Sequence, residues 1–463
     1  MSAHKLLGIT QSTCPVCREL VPAKLLNINN DLYFEKLCPV HGINKVFVRA
    51  DVNDYIKTLH YVKPASQPVK SYGNAEMPCP KGCGFCDRHE QHLCLPIIEI
   101  TQKCNLNCPI CLVDAGSNEQ LSVEEFSNMI DHLIAAEKQI DVLNLSGGEP
   151  LIHPDLLAIL DNALNRPEIV RVSISTNGLH LLKKPDLLSQ LKARDVVISL
   201  QFDGFGDAIY QKLRGLPLVK EKQMILDRLI SADISTSLTM TAMRDLNEHA
   251  LYDMINLLFS TDNIISLMIQ PMVYEGRARD LAVPKKRLTL PEIIQLLGNT
   301  GQVKVRDFTP LPCSHPACFS LAFYLMLDEG GYVSINHLMD VPAWLDIIAN
   351  QGIFGLDEDS HEQIKKSIYE LWSGPAASNP ESKKALNAIR ELLRHISSIP
   401  ESGFNPQKVF KVSERKIKSI FIHSFQDVDT FDLSRARRCC NGYPQKDGTV
   451  IPVCVHNVLS RNR

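Results

Sequence analysis

The residues of this chain with the most chemistry in them are its fifteen cysteines, and every one falls into a cluster. The tightest set is Cys104-x3-Cys108-x2-Cys111, a loop directly after the apolar run 95–100. Thiolates at this spacing can hold three irons of a cubane 4Fe-4S cluster. The fourth iron then lacks a protein ligand and keeps an open position at which another molecule can be bound and activated. A structural zinc loop is the alternative, but zinc wants a fourth ligand close by.

Three further groups offer metal ligands. Cys14-x2-Cys17 is followed by Cys38 and His41, with Leu32, Phe34 and Leu37 between, the plan of a zinc ribbon or rubredoxin holding one zinc or iron. Cys79, Cys83, Cys86 and Cys94 are enough to close a metal site. A complete 4Fe-4S cluster is preferred to zinc there, because Cys-x3-Cys-x2-Cys again matches three corners of a cubane. His89 and His92 read as neighbours of that site or surface residues rather than ligands. The last group is Cys313, Cys318, Cys439, Cys440 and Cys454. An Asp447-Gly448 turn between strand-like runs predicts a hairpin that brings Cys439 and Cys440 towards Cys454. Four of these five suit a second auxiliary 4Fe-4S cluster, with zinc or free thiols as the alternatives. Adjacent cysteines rarely ligate one cluster together, so one of Cys439 and Cys440 is expected to stand aside.

Composition narrows the setting. At 463 residues the chain has room for several domains. A net charge of -3 and a pI near 6.6 give no basic field for nucleic acid. No charged start followed by an apolar stretch marks a signal peptide, and no apolar run approaches the roughly 20 residues that span a bilayer. A cytoplasmic protein is expected, its membrane contact peripheral at most, its thiols reduced and metal-bound.

Around the first loop the pattern is strand, loop, helix, repeated. Strand-like runs occupy 95–100, 141–145, 170–175, 195–201, 234–241 and 264–270. Apolar residues at helical spacing mark 123–139, opened by Ser122 as N-cap with Glu125 three positions on, and 153–165. Six strands alternating with helices predict an α/β fold with a parallel sheet and right-handed crossovers. Polar residues then gather where strands end: Ser146-Gly147-Gly148-Glu149-Pro150, Ser175-Thr176-Asn177, Ser199-Leu200-Gln201 with Asp203, and Tyr274. Strand ends of this kind commonly line a site in parallel α/β proteins. Helical patterns at 343–351 and 361–396 lie further on.

Cys104-x3-Cys108-x2-Cys111 resembles the signature of the radical S-adenosylmethionine (SAM) enzymes, and Gly147-Gly148-Glu149-Pro150 resembles that family's GGE(P) motif. The resemblance implies a partial (βα)6 radical SAM barrel and an open cluster iron that chelates the amino and carboxylate groups of SAM. An injected electron then splits SAM into methionine and a 5'-deoxyadenosyl radical, which abstracts hydrogen from carbon. It implies catalytic roles for Cys104, Cys108 and Cys111, and cofactor contacts from Gly147, Gly148, Glu149, Ser175, Asn177, Ser199 and Gln201. Tyr210-x3-Arg214-Gly215 also follows the pattern of many members. Ile110 departs from it, standing where many members carry an aromatic residue near the adenine.

Over nearly its whole length the layout resembles one subgroup of that family, which includes the archaeal tetraether lipid synthase and dihydropterin methyltransferases. The implied organisation is a metal-ribbon module at 1–60, a linker and four-cysteine segment at 61–94, a SAM core at 95–300 and an auxiliary-cluster domain at 301–463. The implied cofactors are the SAM-binding 4Fe-4S cluster, SAM, one or two auxiliary 4Fe-4S clusters, and mononuclear zinc or iron. The implied activity is hydrogen abstraction leading to methylation or carbon-carbon bond formation on a small-molecule or lipid substrate, supplied by a flavodoxin- or ferredoxin-like electron donor. A peptide-modifying radical SAM enzyme and a non-catalytic multi-cluster electron carrier are the competing readings.

Overall fold

The computed structural model describes residues 4–461 apart from positions 75, 81, 114 and 329 and most of 338–413. The helical patterns expected at 343–351 and 361–396 lie largely outside the described residues.

The N-terminus forms a four-stranded antiparallel sheet, β1 (Lys5–Thr13), β2 (Leu20–Ile28), β3 (Asp31–Cys38) and β4 (Gly42–Arg49), followed by α1 (Val52–Thr58). Asn29 and Asn30, both at positive φ, make the two-residue turn that lets β2 and β3 pair as a tight hairpin. Leu32, Phe34, Lys36 and Cys38 alternate inward along β3, while Leu37 is exposed, on the opposite face. The inward Lys36 is buried with its ammonium satisfied: Nζ donates to the carbonyls of Thr13 at 2.9 Å and Val428 at 3.1 Å. This ties the ribbon to the C-terminal region.

Among the described residues the second sheet has twelve strands. Its centre is the expected parallel series β5 (Leu95–Thr101), β6 (Ile140–Gly147), β7 (Ile169–Thr176), β8 (Val197–Gln201), β9 (Thr236–Ala242) and β10 (Ile264–Pro271). The crossovers carry α2 (Val123–Glu137), α3 (Leu156–Leu164), α4 (Leu179–Lys183), α5 (Pro185–Ala193), α6 (Asp207–Arg214), α7 (Val219–Ser231) and α8 (Leu251–Ser260); α9 (Leu290–Asn299) follows β10. α2 begins with the expected capping box, Ser122 Oγ accepting from Glu125 N–H at 3.1 Å and Glu125 from Ser122 N–H at 2.9 Å.

The C-terminal chain extends this same sheet at both edges. β14 (Ile417–His423) runs parallel beside β10 and is backed by β12 (Phe319–Met326), which pairs with β11 (Thr309–Pro310) and β13 (Tyr332–Ser334). At the far edge β15 (Asn441–Pro444) runs parallel beside β5, then turns through Asp447-Gly448 into β16 (Val450–Pro452). α10 (Leu433–Arg437) precedes β15. Sequence periodicity hides both additions, because the pairings join segments more than a hundred residues apart.

The two faces of the barrel wall differ in chemistry. Ile174, Ile198, Leu200, Leu238, Leu267 and Ile420 point outward into the helix-covered core and are fully buried. The inward residues beside them are hydroxyls in register, Ser175 opposite Ser199, Ser199 opposite Ser237, Ser237 opposite Ser266, and Ser266 opposite Ser419. This alternation departs from the continuous apolar runs usual in parallel strands, because one face lines a lumen instead of a packed core.

Candidate active site

The strand ends of β5 to β10 surround a cavity of about 260 Å³. Cys104, Cys108, Cys111, Gly147, Gly148, Ser175, Asn177, Ser199 and Gln201 all line it, with Ile110, Arg214, Thr239, Thr241, Gln270, Met272 and Phe425. Burial pushes the Cys104 thiol up to about 11, with Glu149 and the other two thiols adding to it, and burial raises Cys111 as well. Thiols such as Cys104 and Cys111, which resist ionisation here, need a cationic metal to hold them as thiolates.

The two glycines bring the backbone of β6 against the cysteine loop. Gly148 N–H donates to the Thr101 carbonyl at 2.7 Å and Glu149 N–H to the Lys103 carbonyl at 2.8 Å. A Cβ on Gly147 would lie 2.1 Å from Thr101 O, and one on Gly148 2.1 Å from Lys103 O. Gly147, at φ 126°, also occupies a conformation that other residues avoid. Gly276 does the same from the other side: a Cβ there would fall 2.4 Å from Cys111 O, which accepts from Arg277 N–H at 3.0 Å.

Glu149, expected to touch the cofactor, sits behind the cavity wall. It is fully buried and outside the cavity lining; Oε1 accepts from Thr176 Oγ1 at 2.6 Å and Leu151 N–H at 3.1 Å, and Oε2 from Asn177 N–H at 2.8 Å. Its carboxylate fixes the end of β7. Asn177 in turn reaches the cysteine loop, Nδ2 donating to Asn105 Oδ1 at 2.7 Å. Ser175 Oγ donates to Asn144 Oδ1 at 3.1 Å, and Ser199 and Thr239 hydroxyls meet at 3.1 Å. Asp203, also expected to face a ligand, is fully buried and bidentate to Arg214 at 2.7 and 2.8 Å. Arg214 reaches on to Thr241 Oγ1 at 3.1 Å and to the Cys108 thiol. Tyr274 packs in a buried apolar group with Ile110, Ile209 and Leu213 rather than on the cavity.

Sequence reasoning missed Lys222. It sits on α7 among charged neighbours that read as a solvated face, yet it is fully buried. Its Nζ donates to Asn177 O at 2.6 Å, Gln201 O at 2.8 Å and Gln201 Oε1 at 2.7 Å, joining the ends of β7 and β8. Burial pushes its pKa down to about 7. Phe425 was equally invisible, since the pairing of β14 with β10 brings it to the cavity.

The ribbon ligands converge: the ligand atoms of Cys14, Cys17, Cys38 and His41 all lie within 4.8 Å of one another. Cys14 Sγ and Cys38 Sγ each stand 3.5 Å from His41 Nδ1, and Cys17 Sγ stands 3.9 Å from Cys38 Sγ. Metal–sulfur bonds of about 2.3 Å in a tetrahedron put ligands about 3.8 Å apart, so the four fit one ion. The ribbon also braces the active site. Arg18 binds the buried Glu275 at 2.7 Å, next to the Gly276 that presses on Cys111.

The remaining nine thiols do not divide as the sequence suggests. Cys79, Cys83 and Cys86 share a small pocket with His89 and Arg437. Cys94, expected to complete that group, instead contacts the thiols of Cys313 and Cys440. A strand start carries it away: Cys94 immediately precedes β5, which is paired to β15. His92 is held beside it rather than at the surface, Nε2 3.4 Å from Cys94 Sγ and Nδ1 3.0 Å from Glu137 Oε2.

Residues 98–258 match the family model of the radical SAM superfamily, and residues 6–49 match that of the HMPTM N-terminal zinc ribbon domain. The chain is 26% identical to a 7,8-dihydro-6-hydroxymethylpterin dimethyltransferase of Methanocaldococcus jannaschii, over 98% of this chain and 94% of the relative. It is 23% identical to a GTP 3',8-cyclase of Clostridium perfringens, over 59% of this chain and 88% of that one. Among solved structures, Streptococcus suis SuiB bound to the precursor peptide SuiA aligns over 46% of each chain, with 12% identity and a TM-score of 0.39.

Proposed function

The chain carries a radical SAM domain over residues 98–258, and from that premise we propose that it methylates a small, polar, pterin-like heterocycle. The observation that carries the substrate class is the lumen wall. On the cavity, Ser175, Ser199, Gln201, Thr239, Thr241 and Gln270 supply a polar wall opposite the apolar Leu106, Ile110, Met272 and Phe425, and the serine rows of β9, β10 and β14 continue that wall deeper in register. Hydroxyl and amide groups, already paired as in Ser199–Thr239 and Ser175–Asn144, can exchange hydrogen bonds with the ring nitrogens and carbonyl of a pterin, whereas an acyl chain offers them none. Similarity along nearly the full length to a dihydropterin dimethyltransferase supports the same class.

The residues fit a 4Fe-4S cluster held by Cys104, Cys108 and Cys111, which with bound SAM would supply the 5'-deoxyadenosyl radical. The chain's own part is positional. Gly147 and Gly148 admit the cofactor close to the backbone; Ser175 and Asn177 offer hydrogen bonds at the end of β7; Lys222 and Glu149 hold those strand ends in place. Arg214, braced by Asp203, supplies positive charge beside Cys108. Phe425, brought to the cavity by the C-terminal chain, limits water around a reactive intermediate.

The same reading assigns one zinc or iron to the ribbon and auxiliary 4Fe-4S clusters to the remaining thiols. It takes electrons from a flavodoxin- or ferredoxin-like donor and places the protein in the cytoplasm, where thiols stay reduced. Among the described residues no helix is long and apolar enough to cross a membrane. Anoxic protein reconstituted with iron and sulfide, given SAM, dithionite and a methyl donor, tests it. With 7,8-dihydro-6-hydroxymethylpterin the product should gain methyl groups by mass spectrometry. Methylation of an isoprenoid lipid with the pterin unchanged would reject the substrate class.

A further inference from the structure

The cavity at the strand ends is walled by hydroxyl, amide, thiol and aliphatic side chains, and among the described residues that line it Phe425 is the one aromatic ring. The cysteine loop presents Leu106, Ile110 and Leu112 to the same space. Phe425 enters from elsewhere. It follows β14, which runs beside β10 with Ile422 opposite Ile269. In the order of the sheet, β10 and β14 stand apart from β6 and β7, whose ends carry Gly147, Gly148, Ser175 and Asn177. The ring therefore joins the side of the cavity formed by Gln270 and Met272, away from the glycine turn.

The bed under this ring is fixed. The buried His423 sets its imidazole 3.9 Å from the Phe425 ring, centroid to centroid, and also stacks on Phe319 at 3.8 Å with 20° between the planes. The backbone on both sides is pinned as well. Ser424 N–H donates to the Cys318 carbonyl at 2.8 Å, and Ser424 O accepts from Arg435 Nη2 at 2.6 Å. Gln426 Oε1 accepts from Asp432 N–H at 2.6 Å. His423 and Gln426 are buried, whereas Phe425 is only half-buried and keeps the rest of its ring for the cavity. A ring held in place before a ligand arrives loses little freedom on binding it.

Resting on the pterin reading above, we propose that Phe425 is a specificity-determining residue, the platform on which the face of the planar substrate stacks while Ser199, Thr239 and Gln270 take its edge. A flat heterocycle has two kinds of surface. Its edge of nitrogens and carbonyl exchanges hydrogen bonds, which hydroxyls and amides supply. Its π face prefers an offset aromatic ring, which Phe425 alone supplies among the described lining residues. A saturated chain has no such face. The C-terminal chain thus contributes a substrate contact through Phe425, one that the strands from β5 to β10 do not provide.

The test is anoxic isothermal titration of 7,8-dihydro-6-hydroxymethylpterin, and separately of SAM, into the reconstituted full chain without reductant, with iron counted on every sample. Phe425→Leu keeps the bulk of the side chain and removes its π face; Phe425→Tyr keeps the face. Phe425→Leu should weaken pterin binding about tenfold, the size of a lost stacking contact, and change SAM binding by less than about twofold. Phe425→Tyr should bind the pterin within about threefold of the parent. Should Phe425→Leu lose its iron, Phe425→Met replaces it in the same comparison. Pterin affinity within about twofold of the parent in the ringless variant, iron intact, overturns the platform alone. So does an equal loss in Phe425→Tyr, which would make the effect one of fit, or a loss of SAM affinity as large as that of the pterin, which would give the ring to the adenine. A parent protein that binds SAM and not the pterin refutes the pterin reading, and the platform with it.

Discussion

Replacing Lys222 by Met keeps the length and apolar stem of the side chain and deletes its three hydrogen bonds. Asn177 O, Gln201 O and Gln201 Oε1 then lose their partner beside the cavity, on the side of Lys222 that is fully buried. At about 1–2 kcal/mol for each unpaired acceptor the loss is about 3–6 kcal/mol. Opposing it is the removal of a buried amine. A pKa lowered from 10.5 to about 7 corresponds to about 5 kcal/mol of native-state cost at neutral pH, by ~1.4 kcal/mol per unit. The two nearly cancel, so Lys222→Met should fold with stability within about 2 kcal/mol of the parent. The cofactor site should not escape: Asn177 and Gln201 line the cavity and lose their common anchor. Losing the order of one or two hydrogen bonds weakens SAM binding by about 10- to 100-fold. Isothermal titration of SAM into reconstituted protein, with cluster iron measured on the same sample, reads this directly. SAM affinity within twofold of the parent, with the cluster intact, would refute the positioning role of Lys222.

The same residue sets a pH dependence. Its native pKa lies below the unfolded one, so between about pH 7 and 10.5 the unfolded chain binds more protons and the contribution of Lys222 to stability rises with pH; urea midpoints at pH 7 and 9.5 should therefore separate parent from Lys222→Met increasingly in the parent's favour. Gly148→Ala drives a Cβ to 2.1 Å from Lys103 O, and should cost the SAM-binding cluster its iron, by about one cluster per chain, while the ribbon metal stays. His41→Ala should remove the ribbon metal alone and lower the melting temperature, because the ribbon's buried Lys36 links the sheet to Val428; metal analysis and calorimetry check both. Thr239→Val, almost isosteric, removes a hydroxyl from the lumen without touching Cys104, Cys108 or Cys111. It should leave the release of 5'-deoxyadenosine from SAM alone within twofold and raise the pterin KM about tenfold, about 1.4 kcal/mol for one lost hydrogen bond.

What the sequence disclosed follows from the range of its signals. The three-cysteine loop, the Gly147-Gly148 turn, the capping box at Ser122 and the six core strands are all written in spacing of a few residues. The Asp447-Gly448 turn is written the same way. Sequence cannot tell a charged helix position that points inward from one that points out, so Lys222 stayed hidden among the polar residues of α7. Glu149 and Asp203 were placed at the right strand ends, but burial decides that they serve Asn177 and Arg214 rather than a ligand. The thiols show the limit best. Nearness along the chain groups Cys94 with Cys86, whereas the pairing of β5 with β15 sets it beside Cys440. No local pattern announces a strand pairing between residue 95 and residue 441.

The central claim is radical SAM chemistry on a polar heterocycle, begun at Cys104, Cys108 and Cys111. One measurement tests it most directly: 5'-deoxyadenosine released by anoxic, reconstituted protein with SAM and dithionite, with and without 7,8-dihydro-6-hydroxymethylpterin. The account predicts release that is accelerated by the pterin and abolished by Cys108→Ala. No release from protein whose cluster is shown intact, or equal release from the Cys108→Ala variant, would contradict it.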